Sequence, residues 1–458
     1  MNKSLEIWLR PCMSGALYVG SNVLCSVISF MFIPILTRIM SQNDYGIVST
    51  YTSAVSLLYV VVGISLDSTM ILAYKDFKEE SDDYISSILY LSLIWFILFF
   101  LVSVIFCSFI KIKLPQSLVF FALFHAFGRY LQSLFLQKLI FLRNAFVYFI
   151  TNVGITFLSV SLSTTMCYMA DTNKYLFKIW GESSVYIVFS ISILFILIKQ
   201  WNFVYNKKFW KKALSFSLPH VFHSASLYIL NQSDRLMISA IIGFEQTAIY
   251  GVIFSFGMIP QMFASAFSNV YAPYCVDKMN SQKYSDIKRV TFFSILGFSI
   301  LTAEILLLSP EFIRLFTPQS YWIGIPMLIP ILLSAFCEFI YLVFVLQEKY
   351  YNKVAMLSIA TIVSAIVNIS LNMLFIPYFG AIGAAYTTLI AKIICTFMHF
   401  CVAKRLNSKT FSAQQIMYVV FFIIFISIVS HLLLDRVLLR WVIGVLVGFF
   451  SLFLCIKK

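Results

Sequence analysis

Charged residues are scarce in this chain of 458 residues. Only 11% are Asp, Glu, Lys or Arg, whereas soluble globular domains carry about 25%. A soluble protein with so little charge has no means of covering its surface with polar groups, so the composition excludes a cytosolic enzyme. The hydrophobic fraction of 61% also excludes a disordered chain, because so apolar a chain would collapse.

Several chemical motifs are missing as well. The nine cysteines include no CxxC pair and fall in or beside apolar runs, which predicts packed thiols and no disulfide framework. No GxxxxGK[ST] segment occurs, so we expect no nucleotide site. His220 and His223 lie one helical turn apart without a third ligand nearby, so we predict neither a metal site nor a cofactor.

Unbroken apolar sequence is what the chain has in abundance. The mean hydropathy is +0.91, and apolar runs of about 20 residues recur along the whole length. Such runs predict an all-α polytopic membrane protein with about 14 transmembrane helices, because the strands of a barrel would alternate. The predicted spans cover residues 14–40, 44–73, 84–110, 116–137, 145–169, 179–199, 213–242, 246–275, 289–309, 322–346, 353–377, 381–403, 415–434 and 438–456.

The basic residues predict the orientation of these spans. With the N-terminus placed inside, 22 of the 33 lysines and arginines fall on that side, eight on the other and three within spans. Because cytoplasmic loops are enriched in Lys and Arg, we predict that both termini are cytoplasmic. The net charge of +14 is then mainly a topology signal, and nucleic acid is not expected as a partner.

A weak internal repeat predicts the domain organisation. Tyr45-Gly46 opens the helix after the first span, and Tyr250-Gly251 opens the helix after the seventh. Two halves of six helices each would enter the membrane from the same side, as parallel repeats do. The predicted domains are an N-terminal six-helix lobe (1–200), a basic cytoplasmic linker (201–212), a C-terminal six-helix lobe (213–403) and two additional transmembrane helices (404–458).

Three stretches carry a family resemblance. They are residues 32–38 (Phe-Ile-Pro-Ile-Leu-Thr-Arg) with 44–46 (Asp-Tyr-Gly), residues 217–219 (Ser-Leu-Pro) with 229–235 (Ile-Leu-Asn-Gln-Ser-Asp-Arg), and Asn368 and Asn372 with 376–385 (Ile-Pro-Tyr-Phe-Gly-Ala-Ile-Gly-Ala-Ala). In their order and placement over residues 14–403, they resemble the Wzx-type O-antigen and polysaccharide repeat-unit flippases. These flippases belong to the multidrug/oligosaccharidyl-lipid/polysaccharide exporter superfamily.

The resemblance implies a fold and an activity. It implies two six-helix lobes like those of MATE transporters, which work by alternating access. It also implies an undecaprenyl-diphosphate-linked oligosaccharide, moved from the cytoplasmic to the periplasmic leaflet of the bacterial inner membrane. The implied partners are this lipid, other membrane lipids and other polysaccharide-assembly membrane proteins.

Cations within the predicted spans are the leading candidates for substrate binding. An ionised side chain at the bilayer centre costs roughly 2.5–3.5 kcal/mol, so it is expected to face a cavity or a partner. Arg129 and Lys392 lie near the middle of their spans, and Arg235 lies nearer an end. We predict that they hold the diphosphate or acidic sugars, with a buried ion pair as the alternative. Arg38, at a helix end in the first motif, is a further candidate, with a cap or interface role as its alternative.

Four carboxylates are candidates for ion coupling. Asp67, Asp234, Glu304 and Glu338 lie within or near the ends of predicted spans, where a desolvated carboxylate can carry a proton or Na+. The alternative for each is a paired or interface-reaching carboxylate.

Two other functions remain open at this point. A drug or cation antiporter of the same superfamily would use the carboxylates, whereas the intramembrane cations favour an anionic substrate. A membrane-embedded polymerase or glycosyltransferase would need a sizeable outer loop or an acid/base constellation, and the sequence has neither. We therefore predict a transporter and no enzyme.

Overall fold

The computed structural model describes residues 3–109, 116–200, 205–351 and 353–456, and within these ranges no residue lies in a strand. The α-helices are α1 (Lys3–Met31), α2 (Ile33–Ile39), α3 (Gln42–Gly63), α4 (Met70–Lys75), α5 (Ser81–Phe109), α6 (Gln116–Phe141), α7 (Ala145–Met169), α8 (Lys174–Gln200), α9 (Lys207–Ile241), α10 (Phe244–Gly257), α11 (Ile259–Asn280), α12 (Tyr284–Phe316), α13 (Leu328–Tyr350), α14 (Val354–Asn407), α15 (Ala413–Leu432) and α16 (Val437–Ile456). Short 3₁₀ segments span Leu66–Thr69, Lys78–Glu80, Gln319–Met327 and Ser408–Thr410.

Ten helical segments in the described ranges are long and apolar enough to cross a bilayer, or eleven if the bent pair α10 and α11 forms one span. The all-α multi-pass architecture is thus confirmed, whereas the number of fourteen spans is not. Besides the bent pair, three features account for the difference between ten and fourteen. The polar helix α9 is not among the ten, and α14 contains two predicted spans in one helix. The apolar part of α16 is short.

A glycine interrupts the long helix α14. Gly380 has φ +65° and ψ −150°, a left-handed conformation that a residue without Cβ adopts at little cost. The interruption falls between the predicted spans 353–377 and 381–403. The two halves of α14 are therefore separate helices in the packing, as the sequence predicts.

The second predicted span, 44–73, is not one continuous helix, so that prediction was wrong. Its first part, α3, stops because Ile64 and Ser65 both adopt left-handed conformations, with φ +47° and +48°. The Trp95 indole N–H of α5 donates to the carbonyl of Val61 at 2.9 Å, near the C-terminus of α3. Gly63 directly precedes the break, but the two residues that adopt positive φ are neither glycine nor asparagine.

The chain divides into two compact units, Met1–Leu236 and Met237–Lys458, here called the N-terminal and C-terminal units. The N-terminal unit has its core around α3, α5 and α6, where Val55, Tyr84 and Tyr130 are fully buried. The core of the C-terminal unit lies around α12, α13 and α14. The lobe limits drawn from the sequence at residues 200 and 213 stay predictions.

The contact between α7 and α8 depends on Gly181. A Cβ at Gly181 would lie 2.5 Å from the Cα of Ser163, so no side-chain rotation relieves the clash. We expect Gly181→Ala to destabilise the protein by about 1–3 kcal/mol, because the backbone of α7 must shift. Thermal unfolding of the detergent-solubilised protein measures this. Gly154→Ala on α7, where a Cβ meets nothing within 4 Å, is the control, and equal unfolding temperatures for the two variants would contradict the prediction.

Candidate functional site

Arg129 lies near the middle of α6 in the N-terminal unit. It is partly buried, and one guanidinium nitrogen, Nη1, donates to the Ser56 hydroxyl of α3 at 3.3 Å. None of the carboxylates in the described ranges is paired with it. Its hydrogen-bond partner is thus a neutral hydroxyl, while the carboxylate of Glu182 on α8 lies close enough to interact with its charge without forming an ion pair.

The polar face of α6 continues one turn earlier at His125. This buried imidazole has Nδ1 at 3.2 Å from the Ser183 hydroxyl and 3.4 Å from the Tyr51 hydroxyl, and these two hydroxyls are 2.8 Å apart. Since residues four apart share a helix face, His125 and Arg129 form one polar stripe on α6. The stripe faces α3 and α8.

A second charged group in the N-terminal unit was missed in the sequence. Lys178 on α8 is buried, and its ammonium donates to the Ser163 hydroxyl at 2.7 Å and to Glu182 Oε2 at 3.2 Å. The predicted sixth span begins at residue 179, which left Lys178 among the loop cations. The Lys-Glu spacing of four residues is the signal that would have revealed a paired helical group.

Asp67, a coupling candidate, lies just after the break that ends α3. Its Oδ2 accepts hydrogen bonds from the Tyr59 hydroxyl and the Ser133 hydroxyl, both at 2.6 Å. Ser133 is one turn beyond Arg129 on α6. Asp67 thus bonds to α6 one turn from Arg129, and among the described residues neither is the ion-pair partner of the other.

The remaining candidates of the N-terminal unit lie on α9 and α2. Arg235 donates from Nη1 to Gln232 Oε1 at 3.2 Å, and the Ser53 hydroxyl donates to the same oxygen at 3.1 Å. Asp234, beside Arg235, is buried. Arg38 is exposed and donates to the Pro34 carbonyl of its own helix at 3.0 Å. This bond fits the alternative role as a helix cap.

In the C-terminal unit, the structure brings two candidates together. The ammonium of Lys392 on α14 lies 3.0 Å from Glu338 Oε2 on α13. The Gln261 amide of α11 donates to the same oxygen at 2.6 Å. The substrate-binding candidate Lys392 and the coupling candidate Glu338 therefore form a charge-neutral pair. This is the ion pair that the sequence analysis gave as the alternative to substrate binding and ion coupling.

Glu304 lies where α12 packs against α16. A Cβ at Gly444 or Gly448 would lie 3.2 or 3.4 Å from its carboxylate oxygens, so these glycines leave room for the charged group. No hydrogen bond from a described residue reaches its buried Oε1. Glu304 is thus a carboxylate without a counter-charge in the described part of this helix interface.

Two asparagines from the third motif join the halves of α14. The Asn368 amide donates to the Thr388 hydroxyl at 3.0 Å, and the Asn372 amide donates to Asn368 Oδ1 at 3.3 Å. The Thr387 hydroxyl donates to Asn372. All four side chains are buried, so this network fixes the two halves against each other across the Gly380 break.

Two further buried charge pairs were missed because their partners are distant in the sequence. Arg440 on α16 is fully buried and donates to Glu311 on α12, which also accepts from the Trp441 indole at 3.2 Å. His399 on α14 pairs with Glu348 on α13. No local spacing connects these residues, so no sequence signal was available.

Comparison with known proteins agrees with this architecture. An uncharacterized membrane protein of Haemophilus influenzae is 21% identical over 385 residues, which cover 81% of this chain and 93% of that protein. The fold is similar to that of the lipid II flippase MurJ in its inward closed conformation, with a TM-score of 0.74 and 17% identity over 96% of this chain and 98% of that one.

An outward-facing multidrug resistance MATE family transporter of the MOP superfamily is also similar, with a TM-score of 0.54 and 15% identity over 87% of this chain and 96% of that one. The MATE-like all-α transporter fold predicted from the sequence is therefore confirmed. Residues 12–279 match the model of a family described as polysaccharide biosynthesis proteins. Because this match covers more than half of the chain, the protein belongs to the polysaccharide biosynthesis protein family.

Proposed function

We propose that the protein is a flippase for an undecaprenyl-diphosphate-linked oligosaccharide, an O-antigen or similar repeat unit. It moves this lipid from the cytoplasmic to the periplasmic leaflet by alternating access. Membership of the polysaccharide biosynthesis family and the MurJ-like fold support lipid-linked substrates in general. The observation that carries the choice of an anionic headgroup is Arg129, whose described partner is the neutral Ser56.

The position of Arg129 makes its charge expensive without a ligand. It is residue 14 of the 26 in α6, so at about 1.5 Å per residue it lies roughly 20 Å from either helix end. That distance is too long for the guanidinium to reach water along the helix. A diphosphate would offset the charge, because the planar guanidinium binds two phosphate oxygens at once.

The proposal also gives roles to the other candidate residues and places the protein in a particular membrane. Arg38 and Arg235 would add positive charge for the substrate, and Lys392 would do so when the substrate anion replaces Glu338 as its partner. Asp67, Asp234, Glu304 or Glu338 would carry the coupling H+ or Na+. The protein would lie in the bacterial inner membrane with both termini cytoplasmic, beside other polysaccharide-assembly membrane proteins, and it would catalyse no covalent chemistry.

A second candidate function is antiport of a cationic drug. The observation in its favour is that Glu338 neutralises Lys392, while Asp67 is bonded to two neutral hydroxyls and so offers a negative charge to a cation. This interpretation predicts transport of small cations and no movement of lipid.

Reconstitution in proteoliposomes separates the two functions. The substrate is a fluorescent undecaprenyl-diphosphate-linked oligosaccharide, and an impermeant reductant quenches the dye in the outer leaflet. We expect protein-dependent exposure of lipid that starts in the inner leaflet. The same fluorescent sugar on uncharged undecaprenol is the matched control and should not move. Uptake of a cationic dye without lipid movement would overturn the flippase proposal.

A further inference from the structure

A fully buried acid-base pair lies in the C-terminal unit. The side chains of Glu348 on α13 and His399 on α14 are both 0% exposed, and His399 Nδ1 is 2.7 Å from Glu348 Oε1. A separation this short is typical of a charge-assisted hydrogen bond between an imidazolium and a carboxylate. The pair therefore holds one proton between its two members.

The outer atoms of both side chains have no hydrogen-bond partner among the described residues. No hydrogen bond from the described residues reaches His399 Nε2 or Glu348 Oε2, although both atoms are buried. The edge of the imidazole instead packs against the Tyr341 ring, with centroids 4.8 Å apart. A pair serving only to fasten α13 to α14 would be expected to have these atoms satisfied, because each unmet buried polar atom costs about 1–3 kcal/mol.

The charge balance of the pair links its protonation to hydration. With one proton the pair is neutral overall, whereas losing that proton or gaining a second leaves a net charge in an apolar interior. Either change is therefore disfavoured while the interface is dry. It becomes accessible when water reaches the pair and solvates the charge.

We infer that Glu348 and His399 form a proton-binding site, which releases one proton to water and takes it up again when the interface of α13 and α14 becomes hydrated. The proton on His399 Nδ1 leaves as hydronium, and the site returns to its neutral state by binding another. This inference rests on the proposed transport function, because alternating access supplies the hydrated state. It adds a coupling site to the four carboxylates chosen from the sequence.

The neighbouring titratable groups are neutral or paired with one another, so they do not compete with Glu348 and His399 for the proton. The titratable groups beside the pair are Tyr341 on α13 and Cys395 one turn before His399, whose thiol lies within hydrogen-bonding reach of the imidazole. Both side chains are ordinarily neutral. Further along the same two helices, Glu338 and Lys392 neutralise each other. On the adjoining helices, Lys278 of α11 pairs with Asp286 of α12 at 3.0 Å. Glu311 of α12 pairs with Arg440 of α16.

Histidine NMR tests the site without any substrate. The full-length protein is labelled with ¹⁵N-histidine and placed in nanodiscs, and His399→Gln identifies the signal of His399 among the five histidines. We expect a charged imidazole at neutral pH that loses one proton in a single step as the pH is raised. In Glu348→Gln, which keeps the shape of the side chain, the same imidazole should be neutral at pH 7.

A matched control and a transport measurement complete the test. His431→Gln, at an exposed position in α15, should leave the His399 signal unchanged. In proteoliposomes, a pH gradient should alter the flipping rate of the wild type, and His399→Gln should flip lipid without responding to the gradient. A neutral His399 throughout, or an unchanged response in the variant, overturns the inference. If the wild type flips no lipid, the proposed function fails, while the NMR titration still decides whether the proton site exists.

Discussion

Replacing Arg129 with alanine is expected to abolish surface polysaccharide while the protein remains in the membrane. The guanidinium is a mid-span cation that forms no ion pair in the described structure, and Ser56 is its neutral hydrogen-bond partner. Loss of a charged hydrogen bond costs about 1.5–3 kcal/mol, which is roughly a ten- to hundredfold loss of affinity for the diphosphate. Complementation of a strain lacking the protein, with immunoblotting of its membranes, measures both effects.

Two further variants define what Arg129 contributes. Arg129→Lys keeps the charge and loses the bidentate geometry, so it should restore part of the polysaccharide. Arg405→Ala, which removes an exposed arginine near the end of α14, should leave the polysaccharide unchanged. Normal polysaccharide in Arg129→Ala would contradict the cationic binding site.

Lys392→Ala is also expected to abolish surface polysaccharide. The change removes the ammonium from Glu338 and leaves a carboxylate in the membrane with the Gln261 amide as its remaining contact in the described structure. Breaking one side of a buried ion pair costs about 3–5 kcal/mol, so the amount of inserted protein should fall as well. Membrane immunoblots alongside the polysaccharide assay measure the two losses separately.

A double variant shows whether Lys392 serves the substrate or only its partner. Glu338→Gln with Lys392→Met removes both charges and retains similar side-chain volumes, so the inserted protein should return to the wild-type amount. If Lys392 binds the substrate anion, the polysaccharide stays absent. Full recovery of the polysaccharide would show that the pair is structural, and Lys392 would then be withdrawn as a binding residue.

The sequence predicted the fold because the bilayer constrains it strongly. Apolar runs must be helical in lipid, since every backbone hydrogen bond has to be made within the segment. The break at Gly380 could be predicted because glycine adopts positive φ easily. The break after Gly63 was not predicted, because the residues that adopt positive φ there, Ile64 and Ser65, are of types that rarely do so.

The candidate site was predicted only where a charge stands alone in an apolar run. Arg129 and Lys392 were visible in this way, but the sequence could not show that Lys392 has Glu338 as its neighbour. Partners on different helices are specified by tertiary packing and leave no local spacing. The pair of Glu348 and His399 was missed for the same reason.

The early end of α3 places Asp67 in a break between two helices. Its carboxylate accepts a hydrogen bond from Ser133, which lies one turn beyond Arg129 and about 12 Å before the end of α6 at Phe141. The break therefore brings a carboxylate to within about one helical turn of the depth of the mid-helix cation. A proton taken up there would lower the negative charge beside the site proposed for the diphosphate, so we expect proton binding at Asp67 and substrate binding at Arg129 to favour each other.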